Sequence, residues 1–271
     1  MQRLRTHLDH FRRLEDLAQT DSFIHRLHPA IKMITTLAFL VTVASYPKYE
    51  FTGLLPLLLY PVAMISLGRL PLGYFAERLL FLFPFVILMA IANLFLDQAP
   101  FFYYGGLVIS KGGASFSSII LRFMLAVTAV LALVATTGIN DIGAVLIRAR
   151  FPKILVLQLL LLYRYLSLLL EEAYRIEQAY VLRSGGKGHG VAPQAWGSLV
   201  GGLLLRTFSR AQKIYEAMLC RGFTGEFRFL RQLKLSCGSL LYLAMWLLFF
   251  GCVRFVNIPS KLGEWVRGVL G

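Results

Sequence analysis

The segment from Leu79 to Leu96 contains no charged residue, and it is one of several such runs in this chain. A helix needs about 20 apolar residues to cross a hydrocarbon core of about 30 Å. Ile119 to Thr137 carries only Arg122, and Leu235 to Val256 carries only Arg254, each close to an end. Ile31 to Tyr46 and Phe51 to Leu67 are shorter and flank the turn Pro47-Lys48-Tyr49-Glu50, the pattern of a tight helical hairpin. Runs of this length read as helices, so the expected fold class is an all-α membrane protein. Composition agrees, with 57% hydrophobic residues, only 15% charged and a mean hydropathy of +0.66, outside the range of soluble domains.

Ile154 to Leu170 is the ambiguous run, interrupted only by Arg164. Hydropathy alone makes it a sixth span, and loop charge decides against that. If it spans, with the N-terminus inside, Lys and Arg divide as 13 inside and 12 outside. If it stays on the N-terminal side, they divide as 22 inside and 4 outside, with Arg122 and Arg254 in spans. The second arrangement has the positive-inside asymmetry. It gives about five transmembrane helices and four regions. Residues 1–30 form a cytoplasmic amphipathic segment, 31–137 hold four spans, 138–234 form a cytoplasmic insert, and 235–271 hold the fifth span and a tail. The first region shows Leu4, Leu8, Phe11 and Leu14 at helical spacing opposite Arg5, Arg12 and Arg13, as in a helix lying in the interface. It lacks the apolar core of a cleavable signal. The net charge of +14 is then a matter of topology and of anionic lipid or an acidic partner, with no nucleic acid required.

Within the insert, Asn140-Asp141 marks a helix start, Pro152 ends that short helix, and one long helix runs from Ile154 through Arg183. Glu171 is placed to pair with Arg175 at i,i+4, and Arg164, costly in an apolar run, has Glu171 on the same helix as a candidate ion-pair partner. Glycines at 185, 186, 188 and 190 close this helix. A second helix runs from about Pro193 to Cys220, stopped by Gly222 and Gly225. The two helix ends repeat each other. Arg175-Ile176-Glu177-Gln178-Ala179 leading to Arg183-Ser184 recurs 38 residues later as Lys213-Ile214-Tyr215-Glu216-Ala217 leading to Arg221-Gly222. Arginine at a helix C-terminus gains from the macrodipole whatever its function. Two copies with the same approach also suit two plugs for two equivalent sockets, because the guanidinium fork binds carboxylates bidentately and keeps its charge.

At these residues the sequence resembles the transmembrane T component of energy-coupling factor transporters, in its cobalt-type CbiQ branch. The resemblance rests on Ser22-Phe23-Ile24-His25-Arg26-Leu27-His28-Pro29-Ala30-Ile31-Lys32 and Thr136-Thr137-Gly138-Ile139-Asn140-Asp141. It continues through Leu162-Tyr163-Arg164-Tyr165-Leu166, Glu171-Glu172-Ala173, and Arg206-Thr207-Phe208-Ser209-Arg210-Ala211 to Ala217-Met218-Leu219-Cys220-Arg221-Gly222-Phe223. It implies that the insert is a domain of long coupling helices whose ends, Arg183-Ser184 and Arg221-Gly222 with Ala179 and Ala217 behind them, dock into grooves of ATP-binding subunits. Ser184 stands where the family's short motif usually has glycine. The resemblance further implies a bacterial or archaeal plasma-membrane location and two ABC-type ATPases as partners. A substrate-binding membrane protein of the CbiM-like S component type, with a small accessory membrane subunit, completes the set. The cargo would be cobalt or nickel ion. No cofactor is expected on this chain, and ATP with magnesium belongs to the partner subunits.

Other residue patterns carry less. His25 and His28 sit three apart, yet only Asp21 lies nearby to complete a metal set and Pro29 favours a turn. His189 lies in a glycine-rich loop whose order is not that of a phosphate-binding loop. Asn93 and Asp97 read as helix-end residues. Cys220, Cys237 and Cys252 have no metal or disulfide spacing. A self-sufficient secondary transporter or permease calls for inverted repeats and midplane ionisable groups, whereas the repeat found here is parallel and lies in the insert. A membrane enzyme calls for clustered His, Asp or Cys at one face. The chain is therefore expected to be non-catalytic.

Overall fold

The computed structural model describes residues 20, 22–47, 52–96, 100–104, 107–184, 191–225 and 236–256. The N-terminal amphipathic segment, the Lys48–Glu50 turn, Asp97 and the 185–190 loop lie outside them. The described chain is helical throughout apart from one short hairpin. A single turn α1 (Phe23–Arg26) precedes α2 (Pro29–Ala44), and two 3₁₀ turns (Thr52–Leu54 and Pro56–Leu58) lead into α3 (Leu59–Gly68). Then come α4 (Leu72–Leu96), strands β1 (Pro100–Tyr104) and β2 (Leu107–Ser110), and α5 (Lys111–Thr136). After these follow α6 (Ile139–Arg148), α7 (Lys153–Arg183), a 3₁₀ turn (Pro193–Ala195), α8 (Trp196–Cys220) and α9 (Cys237–Val256). β1 and β2 pair antiparallel between α4 and α5, where no strand is foreseen from the apolar pattern.

Four helical stretches are long and apolar enough to cross a membrane: Leu72–Ala92, Ser115–Thr136, Lys153–Arg183 and Cys237–Phe255. Pro29–Ala44 and Pro56–Gly68 are shorter apolar helices. The chain therefore is an all-α membrane protein by architecture. Its described residues fall into two compact units, one holding those up to 137 together with 236–256 and the other those from 138 to 225.

In the first unit, α4 lies along α5, and α2 packs between α5 and α9. Their shared core is aromatic. Phe39 of α2, Tyr60 of α3 and Trp246 and Phe250 of α9 form one cluster, with Tyr60 edge-on to Trp246 at 4.9 Å and to Phe250 at 5.5 Å. In lipid the apolar faces gain little from leaving their solvent, so interlocking shape and internal hydrogen bonds hold such a bundle. Thr36 Oγ1 and the Tyr60 hydroxyl share a hydrogen bond of 2.8 Å inside this core. Ala129, Ala132 and Ala135 give α5 a fully buried small-residue stripe for close helix approach.

In the second unit α6 packs on α7, and α7 on α8. α6 begins at Ile139 with Gly138 as its N-cap, not Asn140 or Asp141. Both of those residues fall in the first turn instead. Asp141 there still favours the helix through the positive end of its dipole. α6 ends through a left-handed residue, Arg150 at φ 64°, and Phe151 N–H donates back to Leu146 O at 3.1 Å. Pro152 is the N-cap of α7. A Cβ on Gly143 would lie 2.9 Å from Leu160, so glycine is what allows α6 to rest on α7.

Candidate functional site

α7 is 31 residues, roughly 46 Å at 1.5 Å per residue. Its middle is apolar and its last third is charged, and it stops at Arg183 with Ser184 as C-cap. Ser184 N–H donates to Tyr180 O at 2.9 Å, and its hydroxyl donates to Val181 O at 3.0 Å. A serine can thus close this end without the left-handed glycine. Arg183 is exposed and follows Leu182, which is 82% exposed.

α8 closes differently. Arg221 is the C-cap, and Gly222 follows at φ 77°. Gly222 N–H donates to Leu219 O at 2.9 Å and Phe223 N–H to Met218 O at 3.0 Å, the paired bonds of a Schellman motif. The sequence repeat therefore yields two helix ends that each carry an exposed arginine, as the last helical residue in one and as the cap in the other. Ala179 and Ala217, one turn behind each arginine, are exposed as well. Nothing surrounds the Gly222 Cα that a Cβ would strike, so Gly222→Ala should cost only backbone strain, about 1 kcal/mol. Faster amide exchange at Gly222 and Phe223, with the rest of α8 unchanged, is the expected result.

The ion pair that links α7 to α8 is one that sequence spacing does not reveal. Arg206 Nη1 donates to Glu172 Oε1 at 2.6 Å. The two residues are 34 apart in sequence. Arg164 is exposed on α7, with its guanidinium 6.0 Å from the Tyr165 ring centroid. Glu171 lies two turns further along the same helix and is half-buried.

The cations of the bundle rest on helix-end carbonyls. Arg122 Nη2 donates to Pro47 O, and Arg254 Nη2 to Ser45 O at 3.2 Å, both just past the end of α2. Arg254 also stacks over Tyr46 at 5.0 Å. A third cation is buried in α2. Lys32 is 1% exposed in α2, and its Nζ donates to Thr136 O at 2.6 Å. His25 shares hydrogen bonds with Ser22 Oγ (2.7 Å) and Thr20 Oγ1 (3.2 Å). His28 Nδ1 accepts from Ala30 N–H at 3.2 Å and caps α2. Among the described residues, no three His, Cys, Asp or Glu side chains come together as a metal site.

The CbiQ family model, described as a cobalt transport protein, matches residues 20–231. An energy-coupling factor transporter transmembrane protein, EcfT, of Clostridium kluyveri is 26% identical over 234 residues, which cover 80% of this chain and 86% of that protein. The EcfT of Bacillus selenitireducens is 27% identical over 258 residues, covering 86% and 92%. The EcfT of Bacillus subtilis is 28% identical over 222 residues, covering 75% and 82%. With a match across most of its length, and with apolar helices joined to a unit of long helices, this chain belongs to the CbiQ family of energy-coupling factor transporter transmembrane proteins.

Proposed function

We propose that this chain is the non-catalytic coupling subunit of an ATP-driven importer in a prokaryotic plasma membrane, and that the ends of α7 and α8 are its contacts with two ABC-type ATPases. The observation that supports this most is the pair of long helices that finish in exposed arginines at repeated positions. A long helix is a stiff lever, and an arginine at its tip can engage a carboxylate in a groove of the partner. ATP and magnesium would bind between the ATPases, whose closing and opening would move both tips. Arg183 with Ser184 and Arg221 with Gly222 would hold the grooves, and Ala179 and Ala217 would let the helices approach closely. Arg164 and Glu171 would brace α7 where its apolar and charged parts meet.

The cargo we propose is cobalt ion, on the strength of the family description, with nickel as the alternative, carried by a substrate-binding membrane partner of the CbiM-like type with its small accessory subunit. The charge asymmetry of the loops favours a cytoplasmic N-terminus and a cytoplasmic insert, with Ile154–Leu170 on the inner side. The test is reconstitution of the co-purified complex in vesicles. ATP-dependent uptake of Co²⁺, with Ni²⁺ as competitor, is expected, and a complex that hydrolyses ATP without moving either ion would refute the cargo. A cysteine introduced for Lys187 should react with a membrane-impermeant maleimide only from the cytoplasmic face, and labelling from outside would refute the topology.

A further inference from the structure

The motif from Ser22 to Lys32 lies outside the two helix ends assigned above to ATPase docking, and part of it is built into the bundle core. Buried polar side chains are few among the described residues, and five of them are His28, Lys32, Thr136, Thr137 and Ser239. His28 and Lys32 belong to the start of α2, and the other three mark two special places in the chain. α5 ends at Thr136, and the chain then leaves the bundle unit after Thr137. The chain is back in that unit at α9, which starts at Cys237. The insert thus has two roots, one at the last turn of α5 and one at the first turn of α9.

Both roots are held by the same turn of α2. Lys32 Nζ donates to the Thr136 carbonyl at 2.6 Å, and the His28 backbone N–H donates to Ser239 Oγ at 3.2 Å. His28 and Lys32 are four residues apart, so they lie one above the other on a single helix face. Pro29 at the first position of α2 and the His28 side-chain cap fix that turn's geometry. The last carbonyls of a helix lack intrahelical donors and carry its negative partial charge. A lysine ammonium placed there is a strong, charge-assisted restraint.

We propose that the His28–Lys32 turn is a clasp that ties both roots of the insert to one point of the membrane bundle, with Lys32 as a positioning residue for coupling. A lever moves its load only if its fulcrum is stiff. With the roots held together, motion of the insert is passed to α5 and α9, and without the clasp the roots shift separately and absorb it. This inference rests on the coupling reading above, and it assigns a role to residues that touch neither ATP nor cargo.

The test is the uptake of Co²⁺ per ATP hydrolysed by the reconstituted complex, in wild type, Lys32→Met, Lys32→Arg and Ser239→Ala. Lys32→Met keeps length and loses the donor. Its complex should assemble and hydrolyse ATP, with the uptake-to-hydrolysis ratio lowered by about tenfold, within the span of ordinary coupling energies. Lys32→Arg keeps a cationic donor and should recover most of the ratio, while Ser239→Ala should lose part of it. A purely structural role would lower complex yield and melting temperature and leave the ratio alone. An unchanged ratio in Lys32→Met overturns the proposal. If Lys32→Met does not assemble, Lys32→Gln is scored in the same way, and failure of both to assemble also overturns it by making Lys32 a matter of stability. Lack of coupled uptake in wild type refutes instead the coupling reading on which the clasp depends.

Discussion

Replacing Arg183 and Arg221 together by glutamate should release the ATPase subunits from the purified complex. Both side chains are exposed at helix ends, so the substitutions leave the fold of the chain intact and its helical circular dichroism unchanged. The expected loss comes from the interface. Removing one member of a buried charge pair costs about 2–5 kcal/mol, and reversing its sign adds repulsion against whatever carboxylate it met. Two tips on one rigid body act as a bivalent ligand, so the second contact forms at high effective concentration. Each single variant should therefore retain a weakened complex that dissociates on dilution, while the double variant falls apart. Size-exclusion chromatography with ATPase stoichiometry as readout separates these cases. A double variant that keeps both ATPases and its coupled hydrolysis would rule out arginine-tipped docking. The Arg221 position should be the more sensitive to its neighbour, because its geometry depends on Gly222 at φ 77°, whereas Ser184 closes its helix with ordinary backbone angles.

The second large effect is expected in the bundle core. Trp246 is 5% exposed and stacks within 6.2 Å of Tyr60, Tyr242, Phe249 and Phe250. Trp246→Ala removes the shared member of all four pairs and leaves a cavity the size of an indole. Large-to-small changes of this kind cost about 3–5 kcal/mol in soluble cores. Lipid is itself apolar, so the loss here is mainly of dispersion contacts and shape, and the lower end, about 3 kcal/mol, is expected. Thermal inactivation in detergent, followed by monodispersity, should shift down by several degrees. Trp246→Phe keeps the edge-on contact with Tyr60 and should lose less than half as much. Equal melting of wild type and Trp246→Ala would mean that this aromatic cluster does not hold α9 to α2 and α3.

Much of this architecture is legible from residue order because the relevant signals are local. Uncharged runs mark the C-terminal ends of α4 and α5 and both ends of α9 to within two residues, while α4 and α5 begin about two turns before their runs; Gly222 and Gly225, both at positive φ, stop the second insert helix as expected. The helix from Lys153 to Arg183 is continuous through its apolar and charged parts, as its unbroken pattern implies. Other features depend on what the chain meets after folding. The ion pair of Glu172 joins it to Arg206 on another helix, and no i,i+4 rule reaches across 34 residues. Gly143 looks like an ordinary weak spot in a helix until Leu160 is seen against it. Lys32 stands near the start of an apolar run, where one lysine is cheap at a membrane surface, and only the folded bundle shows it buried with its Nζ donating to the end of α5. The start of α6 shifted from Asn140 or Asp141 to Gly138 for a similar reason. A side-chain cap is only one way to begin a helix, and here the extended Gly138 backbone does so without one.

Docking of the two arginine-bearing helix ends onto ATPase subunits is tested most directly at Cys220, which is exposed on α8 immediately before Arg221. Cys237, also exposed and at the first position of α9, serves as an internal reference in the same molecule. Maleimide labelling followed by peptide mass spectrometry gives a rate at each cysteine, with and without the ATPases. Docking at Arg221 requires Cys220 to be protected several-fold in the complex, with the reference Cys237 unchanged. It also requires that protection to vanish in the Arg183→Glu, Arg221→Glu double variant. A Cys220 that reacts equally fast in the presence and absence of bound ATPases would contradict the assignment of these helix ends as the coupling contacts.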